Sequence, residues 1–180
     1  NRPAGIEFAY TGWLRIDDFA YRFGVPKVIF VKGSADLSTA CPALVIDGNT
    51  NSLLVKIDTF GAQETISVVS VPANKWLHVA INVNQDAVDV YINGTITRSV
   101  NLTGVPKQNY GDVYVAMNGG FDGNTSSLRY FEEALGTNKI QSIVNKGPNT
   151  SFVTANLGSS NTNNTYLSTR WYMNSATNVA

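Results

Sequence analysis

The sequence predicts an all-β protein that folds as a two-sheet antiparallel sandwich. The helix-favouring residues Glu, Leu and Lys are sparse, whereas Val, Ile, Thr, Tyr and Phe, which suit a half-buried pleated surface, are plentiful. Short β-prone runs also recur along the chain, with Gly, Pro, Asn or Asp between them. About ten such runs at this spacing are typical of a sandwich within one domain.

The predicted strands follow the chain in order. We assign them to residues 7–16, 27–32, 42–46, 52–59, 64–71, 75–84, 87–93, 95–102, 112–117 and 126–131. The run at 75–84 alternates most clearly, and its core-facing side chains are Leu77, Val79, Ile81 and Val83. Its opposite face, which we expect to border a groove, a loop or solvent, carries Trp76, His78, Ala80, Asn82 and Asn84.

The run at 87–93 repeats this alternation, and a hairpin turn follows it. Val88, Val90 and Ile92 share the core face, with Asp89 and Tyr91 on the other. Asn93-Gly94 supplies the positive φ angles of a two-residue hairpin turn, which is the strongest short-range signal in the sequence.

One helix is predicted over residues 138–145. Thr137 is its expected cap, Ile140, Ile143 and Val144 share one face, and Gly147-Pro148 ends it. We expect this helix to pack across the sandwich edge. The predicted domain spans residues 1–148.

Residues 149–180 form a C-terminal segment of different character. An Asn/Ser/Thr-rich stretch reads as a linker, and an aromatic stretch follows it. The aromatic stretch either folds back onto its own domain or docks onto a neighbouring subunit. Its candidate assembly residues are Tyr166, Leu167, Arg170, Trp171 and Tyr172.

Composition excludes several classes of protein. Thirteen basic and thirteen acidic residues cancel, so we expect no nucleic-acid partner. Cys41 is the only cysteine, which excludes an intrachain disulfide, and we interpret it as a small buried hydrophobe. No apolar run approaches the roughly 20 residues that span a bilayer, so we expect no membrane insertion.

Several segments in order resemble one known family. The segment Phe8–Ile16 resembles the opening strand of laminin-G-like, pentraxin-type domains in the concanavalin A-like lectin/glucanase superfamily, and Ile29–Gly33 resembles the second strand. Trp76–Ala80 is similar to a later strand, Val90–Gly94 to a "VYxNG" hairpin, and Gly119–Leu135 to the closing segment. The resemblance implies a jelly roll. Pro106–Asp112 and Tyr166–Tyr172 also resemble domains encoded by large DNA viruses of algae.

Because the superfamily includes glycosidases, we asked whether the acidic residues of this sequence could form a catalytic pair. Retaining glycosidases hold two carboxylates about 5–5.5 Å apart, and laminarinase-type members carry them on a Glu-x-Asp-x-x-Glu strand that is missing from this sequence. The pairs Asp17-Asp18 and Glu132-Glu133 are adjacent, and adjacent strand residues point to opposite faces. We interpret both pairs as turn or solvated residues.

Nucleophilic catalysis would have to use His78, the only histidine. It lies in a structural strand of the family, and we interpret it as a hydrogen-bonded strand residue. The sequence therefore predicts no catalytic residues and no enzyme.

Two binding sites are predicted instead. The family resemblance implies a Ca²⁺ site at one rim, and the candidate ligands in loops or at strand ends are Asp36, Asp47, Asp112, Asn118 and Asp122. Each is also an ordinary turn residue. A sugar needs an aromatic ring to stack on and polar groups around it. The candidate carbohydrate platform is Trp76, Asn82, Asp89 and Tyr91, whose alternative is a second buried layer under a loop.

Glycosylation sequons occur at Asn93, in the tight hairpin, and at Asn101, Asn124, Asn149 and Asn163. The sequence thus predicts a non-catalytic recognition or assembly module, extracellular or on a virion surface. Its expected partner is a glycan or a surface protein, with homo-oligomers forming through the C-terminal segment. The alternative is a glycan-active hydrolase or lyase of the same superfamily.

Overall fold

The protein is a sandwich of two antiparallel sheets with five strands each. The structure, a computed structural model, describes residues 6–151. Its elements in chain order are β1 (Glu7–Asp18), β2 (Lys27–Gly33), β3 (Ala40–Ile46), β4 (Leu53–Ile57), β5 (Glu64–Val68), β6 (Leu77–Asn84), β7 (Ala87–Ile92), β8 (Thr95–Asn101), β9 (Asp112–Val115), β10 (Asp122–Phe131) and α1 (Thr137–Asn145). Sheet 1 has the order β10-β1-β6-β7-β8, and sheet 2 has the order β5-β4-β3-β2-β9. The predicted all-β jelly-roll sandwich with one short helix is confirmed.

Every predicted strand is present, with shifts at the ends. β10 begins at Asp122, four residues before the predicted start at 126, because Asp122–Ser126 pairs with β1 around two register shifts. The Asn93-Gly94 turn is confirmed, since these residues have φ angles of 50° and 83° between β7 and β8.

The main core lies between the facing sides of the two sheets. The predicted core face of β6 is confirmed, because Leu77, Val79, Ile81 and Val83 all pack there. From the opposite sheet, Leu44 on β3 and residues of β2 and β4 meet them. Burial of this face is the chief stabilising contribution, at about 25 cal/mol per Å² of apolar surface.

The outer face of sheet 1 is also buried, beneath α1. Ala9, Ala80 and Tyr91 on three neighbouring strands pack against Ile140 and Ile143 of the helix. The expected position of the helix at the sandwich edge is therefore wrong. The apolar patch on the central strands requires a cover, and α1 provides it.

The predicted cap of α1 is also wrong. Thr137 is the first helical residue, and Gly136 precedes it in an extended conformation without a side-chain capping bond. The C-terminal end matches the prediction more closely, because the Lys146 and Gly147 N–H groups bond to carbonyls of the last turn and Gly147 has a positive φ.

The two sides of the sandwich differ. On the β5–β8 side, Arg98 Nε donates to the Ser67 carbonyl at 2.9 Å, and the Thr103 N–H and Oγ1 both donate to Glu64 Oε1 at 2.8 Å. Within residues 6–151, β9 and β10 each have one neighbouring strand, and they border the other side. That side is open, with Val115, Leu128 and other apolar residues exposed.

The predictions for the C-terminal segment concern residues that the structure does not describe. Tyr166, Leu167, Arg170, Trp171 and Tyr172 lie there, and so does the sequon at Asn163. The division at residue 148 therefore stays a prediction. No helix within residues 6–151 is long and apolar enough to cross a bilayer.

Ile140→Ala tests the docking of α1 on sheet 1. The Ile140 side chain is fully buried, so we expect the free energy of unfolding to fall by about 3 kcal/mol, as measured by urea denaturation. Lys139→Ala, at an exposed neighbouring position, is the control and should change it by less than about 0.5 kcal/mol. Equal effects of the two variants would contradict the packing.

Candidate binding groove

A groove of about 1100 Å³ lies on the open side of the sandwich, and we call it the edge groove. One wall comes from the start of β1 and the end of β10, with Glu7, Tyr130 and Glu132. The facing wall comes from β2, β9 and the loop before β9, with Lys32 and Tyr110. Ligand clefts typically measure roughly 300–1,000 Å³, so the edge groove is large enough for an extended ligand.

Tyrosine rings dominate the edge groove. Tyr110 is 92% exposed and Tyr130 is 58% exposed. Tyr10 is buried beside Tyr130, its neighbour across the β1–β10 ladder, with its ring centroid 5.1 Å from that of Tyr130 and 5.4 Å from that of Phe30. Burial, together with the nearby Tyr130, raises the pKa of Tyr10 to about 12. The exposed ring of Tyr130 thus packs against buried aromatic side chains at the edge of the core.

Hydrogen bonds fix the loop that forms the second wall. Asn109 Nδ2 donates to the Lys32 carbonyl at 3.1 Å, and Asn109 Oδ1 accepts from the Gly111 N–H at 3.2 Å. Lys32 Nζ donates to the Gly111 carbonyl. Lys107 lies 3.6 Å from Asp58 Oδ2 and 6.0 Å from the centre of the Phe60 ring. The wall is therefore preformed, and Gln108 remains exposed on it.

Sequence reasoning did not identify the edge groove. Tyr130 and Tyr110 entered only as parts of family-like segments, because their strands are far apart in sequence. Pairing of β10 with β1 and of β9 with β2 brings them to the same side. Nothing local in the sequence encodes these long-range pairings, although Tyr130 falls in the predicted strand 126–131 and Tyr110 lies between two predicted strands.

The predicted carbohydrate platform is not an open surface. Tyr91 is 3% exposed beneath α1, and Asn82 is 6% exposed. Asn82 Oδ1 accepts from the Leu135 N–H at 2.7 Å, and Asn82 Nδ2 donates to the Leu135 carbonyl at 3.3 Å. Asp89 and Trp76 are partly buried, and the Arg15 guanidinium lies 5.9 Å from the Trp76 ring centre. The alternative reading, a second buried layer, describes Tyr91 and Asn82 correctly.

His78 belongs to this same buried layer. Its side chain is fully buried, with its ring 5.2 Å from that of Trp13. The interpretation of a hydrogen-bonded histidine is wrong, because neither ring nitrogen has a hydrogen-bond partner within residues 6–151. Burial lowers the pKa of His78 to about 4. The imidazole is therefore neutral at physiological pH and is sealed from any substrate.

Cys41 is buried, as predicted. Burial, with a smaller effect of the Asp58 charge, raises the pKa of its thiol to about 12. A protonated thiol is neither a nucleophile nor a metal ligand at neutral pH.

The carboxylate pairs have different surroundings. Asp17 forms an ion pair with Arg15 at 2.7 Å, and Asp18 Oδ1 accepts from the Ala20 N–H at 2.7 Å. Glu132 and Glu133 are exposed, as predicted. Their position in the edge groove, together with Glu7, was not foreseen.

The five predicted calcium ligands are distributed over several loops and strand ends. Asp36 and Asp47 are held within their own loops, Asp36 by Ser34 and Ser38, which lower its pKa to about 2, and Asp47 by Thr50, which lowers its pKa. Asn118 Nδ2 donates to the Ala35 carbonyl at 3.3 Å. Asp122 lies opposite Asp18 in the ladder between β1 and β10, and Asp112 is the first residue of β9.

No three His, Cys, Asp or Glu side chains converge in a metal-binding group within residues 6–151. Calcium therefore stays a prediction. Of the sequons in that range, those at Asn101 and Asn149 are exposed and that at Asn124 is half-buried in β10. Asn93 Oδ1 instead accepts the His78 N–H at 2.9 Å.

Comparisons with known proteins agree with this architecture. The model of the Concanavalin A-like lectin/glucanases superfamily matches residues 4–141. The receptor-binding domain of botulinum neurotoxin mosaic serotype C/D is similar, with a TM-score of 0.63 and 15% identity over 79% of this chain and 37% of that chain. The binding domain of botulinum neurotoxin DC is similar in its complex with SialylT, with a TM-score of 0.61 and 16% identity over 78% of this chain and 35% of that chain.

The same neurotoxin domain in complex with rat synaptotagmin II matches with a TM-score of 0.60 and 17% identity, over 78% of this chain and 36% of that chain. This chain thus spans a little over a third of the length of these solved structures, and at such identities the likeness shows the fold alone. No curated protein matches the sequence.

The burial of His78 predicts a specific loss of stability in acid. Its pKa is lower in the folded chain, about 4, than its ordinary 6.5, so the unfolded chain binds the proton more readily. The free energy of unfolding should be constant above about pH 7.5, fall by about 1.6 kcal/mol between about pH 6.5 and pH 5, and continue to fall until about pH 4. Urea denaturation at several pH values measures this change.

Since the chain has one histidine, His78→Gln should remove the dependence in that window. NMR titration of the imidazole gives the pKa directly. A titration midpoint near 6.5 would show that the side chain is not sealed from water.

Proposed function

The chain belongs to the Concanavalin A-like lectin/glucanases superfamily, and on this basis we propose that it is a non-catalytic module that binds carbohydrate in the edge groove. The observation that carries the proposal is the pair of exposed tyrosines, Tyr110 and Tyr130, in a preformed cleft of about 1100 Å³.

The chemistry of the edge groove suits a sugar. The apolar face of a pyranose ring packs on a planar aromatic side chain, and its hydroxyl groups need donors and acceptors around that ring. Tyr130 already packs against the buried Tyr10, so it loses little side-chain freedom when a ligand stacks on it. Glu132 and Gln108 are exposed polar groups on the two walls, where they can bond to hydroxyl groups.

Protein is the other partner that the sequence predicts. Solved relatives of this fold include a neurotoxin domain in complex with SialylT and one in complex with rat synaptotagmin II. We favour carbohydrate because the groove walls combine exposed rings with amide and carboxylate groups, rather than the continuous apolar surface typical of a protein-interface core.

A glycan-active hydrolase is the second candidate, and one observation favours it. Glu7, Glu132 and Glu133 all line the edge groove, and glycoside hydrolysis uses a pair of carboxylates. The two hypotheses separate in one assay. A binding module leaves a bound glycan intact, whereas a hydrolase releases reducing sugar and loses that activity in Glu132→Gln.

We further propose an extracellular or surface location, in line with the exposed sequons at Asn101 and Asn149. We also propose a virion setting and a role in assembly, on the basis of the resemblance of Pro106–Asp112 and Tyr166–Tyr172 to domains encoded by large DNA viruses of algae. Calcium can be tested together with binding, because EDTA would abolish binding only if the ion bridges or orders the site.

The exposed tyrosines give the direct test of carbohydrate binding. A glycan array should yield at least one ligand for the unmodified chain. For that ligand, Tyr130→Ala should raise the dissociation constant roughly tenfold or more, measured by isothermal titration calorimetry. Tyr110→Ala should act in the same direction, because both rings border the groove.

Phe23→Ala is the matched control, since Phe23 is an exposed aromatic residue in the β1–β2 loop outside the edge groove. It should leave the affinity unchanged. Binding that survives both tyrosine substitutions, or that is lost equally in the Phe23 variant, would reject the groove as the site.

A further inference from the structure

β9 is a sheet edge with little of the usual protection against pairing. Within residues 6–151 it pairs with β2 alone, and all four of its residues, Asp112–Val115, are exposed. Edge strands usually carry lysine, proline or a bulge that discourages a further strand. β9 carries neither lysine nor proline and its ladder with β2 has no register shift, so its short length of four residues and the charge of Asp112 are its remaining protection.

The neighbouring edge, β10, is different. Its ladder with β1 is interrupted by register shifts, and Ser127 has a φ of 53°. A bulge of this kind bends the strand and disrupts a regular row of hydrogen-bonding groups. Of the two strands on the open side, β9 is therefore the one that offers a regular row of hydrogen-bonding groups to a further strand.

The free backbone groups of β9 can be assigned. The Ala116 N–H donates to the Ile29 carbonyl at 2.9 Å, and the ladder places Val115 opposite Phe30. Along an antiparallel ladder, successive residues direct their N–H and C=O groups alternately toward and away from the partner strand. Val113 and Val115 therefore direct these groups away from β2, to the free edge.

We propose that β9 pairs with β9 of a second copy, antiparallel about a two-fold axis. The register places Tyr114 opposite Tyr114 of the partner subunit. Val113 then lies opposite Val115 of the partner subunit, so that the outward-directed groups of the two copies bond to each other. Sheet 2 becomes one continuous sheet across both copies.

Charge and side-chain pairing favour a second copy as the occupant. Asp112 is the only charged residue between Gln108 and Phe121. In this register it faces Ala116 of the partner subunit, and the two Asp112 residues are separated by four residues, or roughly 13 Å. No like charges meet, while Tyr–Tyr and Val–Val pairs form, both of which stabilise antiparallel strands.

A cysteine cross-link tests the register. Tyr114 occupies a non-hydrogen-bonded pair, in which the Cα atoms lie about 4.5 Å apart, and a disulfide accepts roughly 4.4–6.8 Å. Under mild oxidation, full-length Tyr114→Cys should form a covalent dimer on a non-reducing gel. Asp112→Cys is the matched control and should form no covalent dimer, because its two cysteines lie too far apart for a disulfide. The unmodified chain controls for Cys41, which is buried.

A proline tests the backbone pairing. Val115→Pro removes one outward N–H per copy, and this group takes no part in the ladder with β2, so the fold should persist. Sedimentation velocity over a concentration series should show the dimer dissociation constant rising roughly tenfold or more. Val115→Lys is a second variant with the same expectation.

Val69→Lys is the control for these two variants. Val69 is exposed and follows β5, at the opposite edge of sheet 2, so this variant should dimerise like the unmodified chain. A chain that stays monomeric throughout the series would overturn the proposal. Equal cross-linking of the two cysteine variants, or equal dimerisation of the Val115 and Val69 variants, would also overturn it.

Discussion

Apolar contact between the facing sides of the two sheets is the constraint on which the rest of the structure depends. Each strand places alternate side chains on this face, so the period of two in residues such as Leu77, Val79 and Ile81 fixes which face of sheet 1 points inward. The outer face of the same sheet also carries Ala80 and Tyr91, and α1 must therefore cover it. The sandwich is closed by hydrogen bonds on the β5–β8 side. Its open side, with the edge groove, is the surface left to meet a partner.

The fold could be predicted from the sequence because its signals are local. Strand runs, the Asn93-Gly94 turn and the helix over residues 138–145 each depend on neighbouring residues, and all three are present. The prediction of Thr137 as the N-cap was wrong because Gly136 occupies that position in an extended conformation, without a side-chain capping bond. The helix position could not be predicted, since which face needs a cover depends on how β1, β6 and β7 combine their outward residues.

The site was harder to predict, for a reason that Tyr91 and Tyr130 illustrate. Alternation showed that Tyr91 points away from the core, but it could not show that α1 buries it on that side. Tyr130 is exposed because β10 is an edge strand of sheet 1, a property of strand order rather than of sequence. His78 is similar. The strand pattern indicated a structural residue, yet only the assembled layer shows that both ring nitrogens lack partners in the described part of the chain.

The central claim is that the chain binds carbohydrate in the edge groove. The most direct measurement is a ¹⁵N NMR titration of the full chain with a glycan identified on the array. Saturable shift changes should cluster at groove residues such as Lys32, Tyr110 and Tyr130, and leave the β1–β2 loop around Phe23 unchanged. Changes that cluster at that loop or along α1, with the groove silent, would contradict the account.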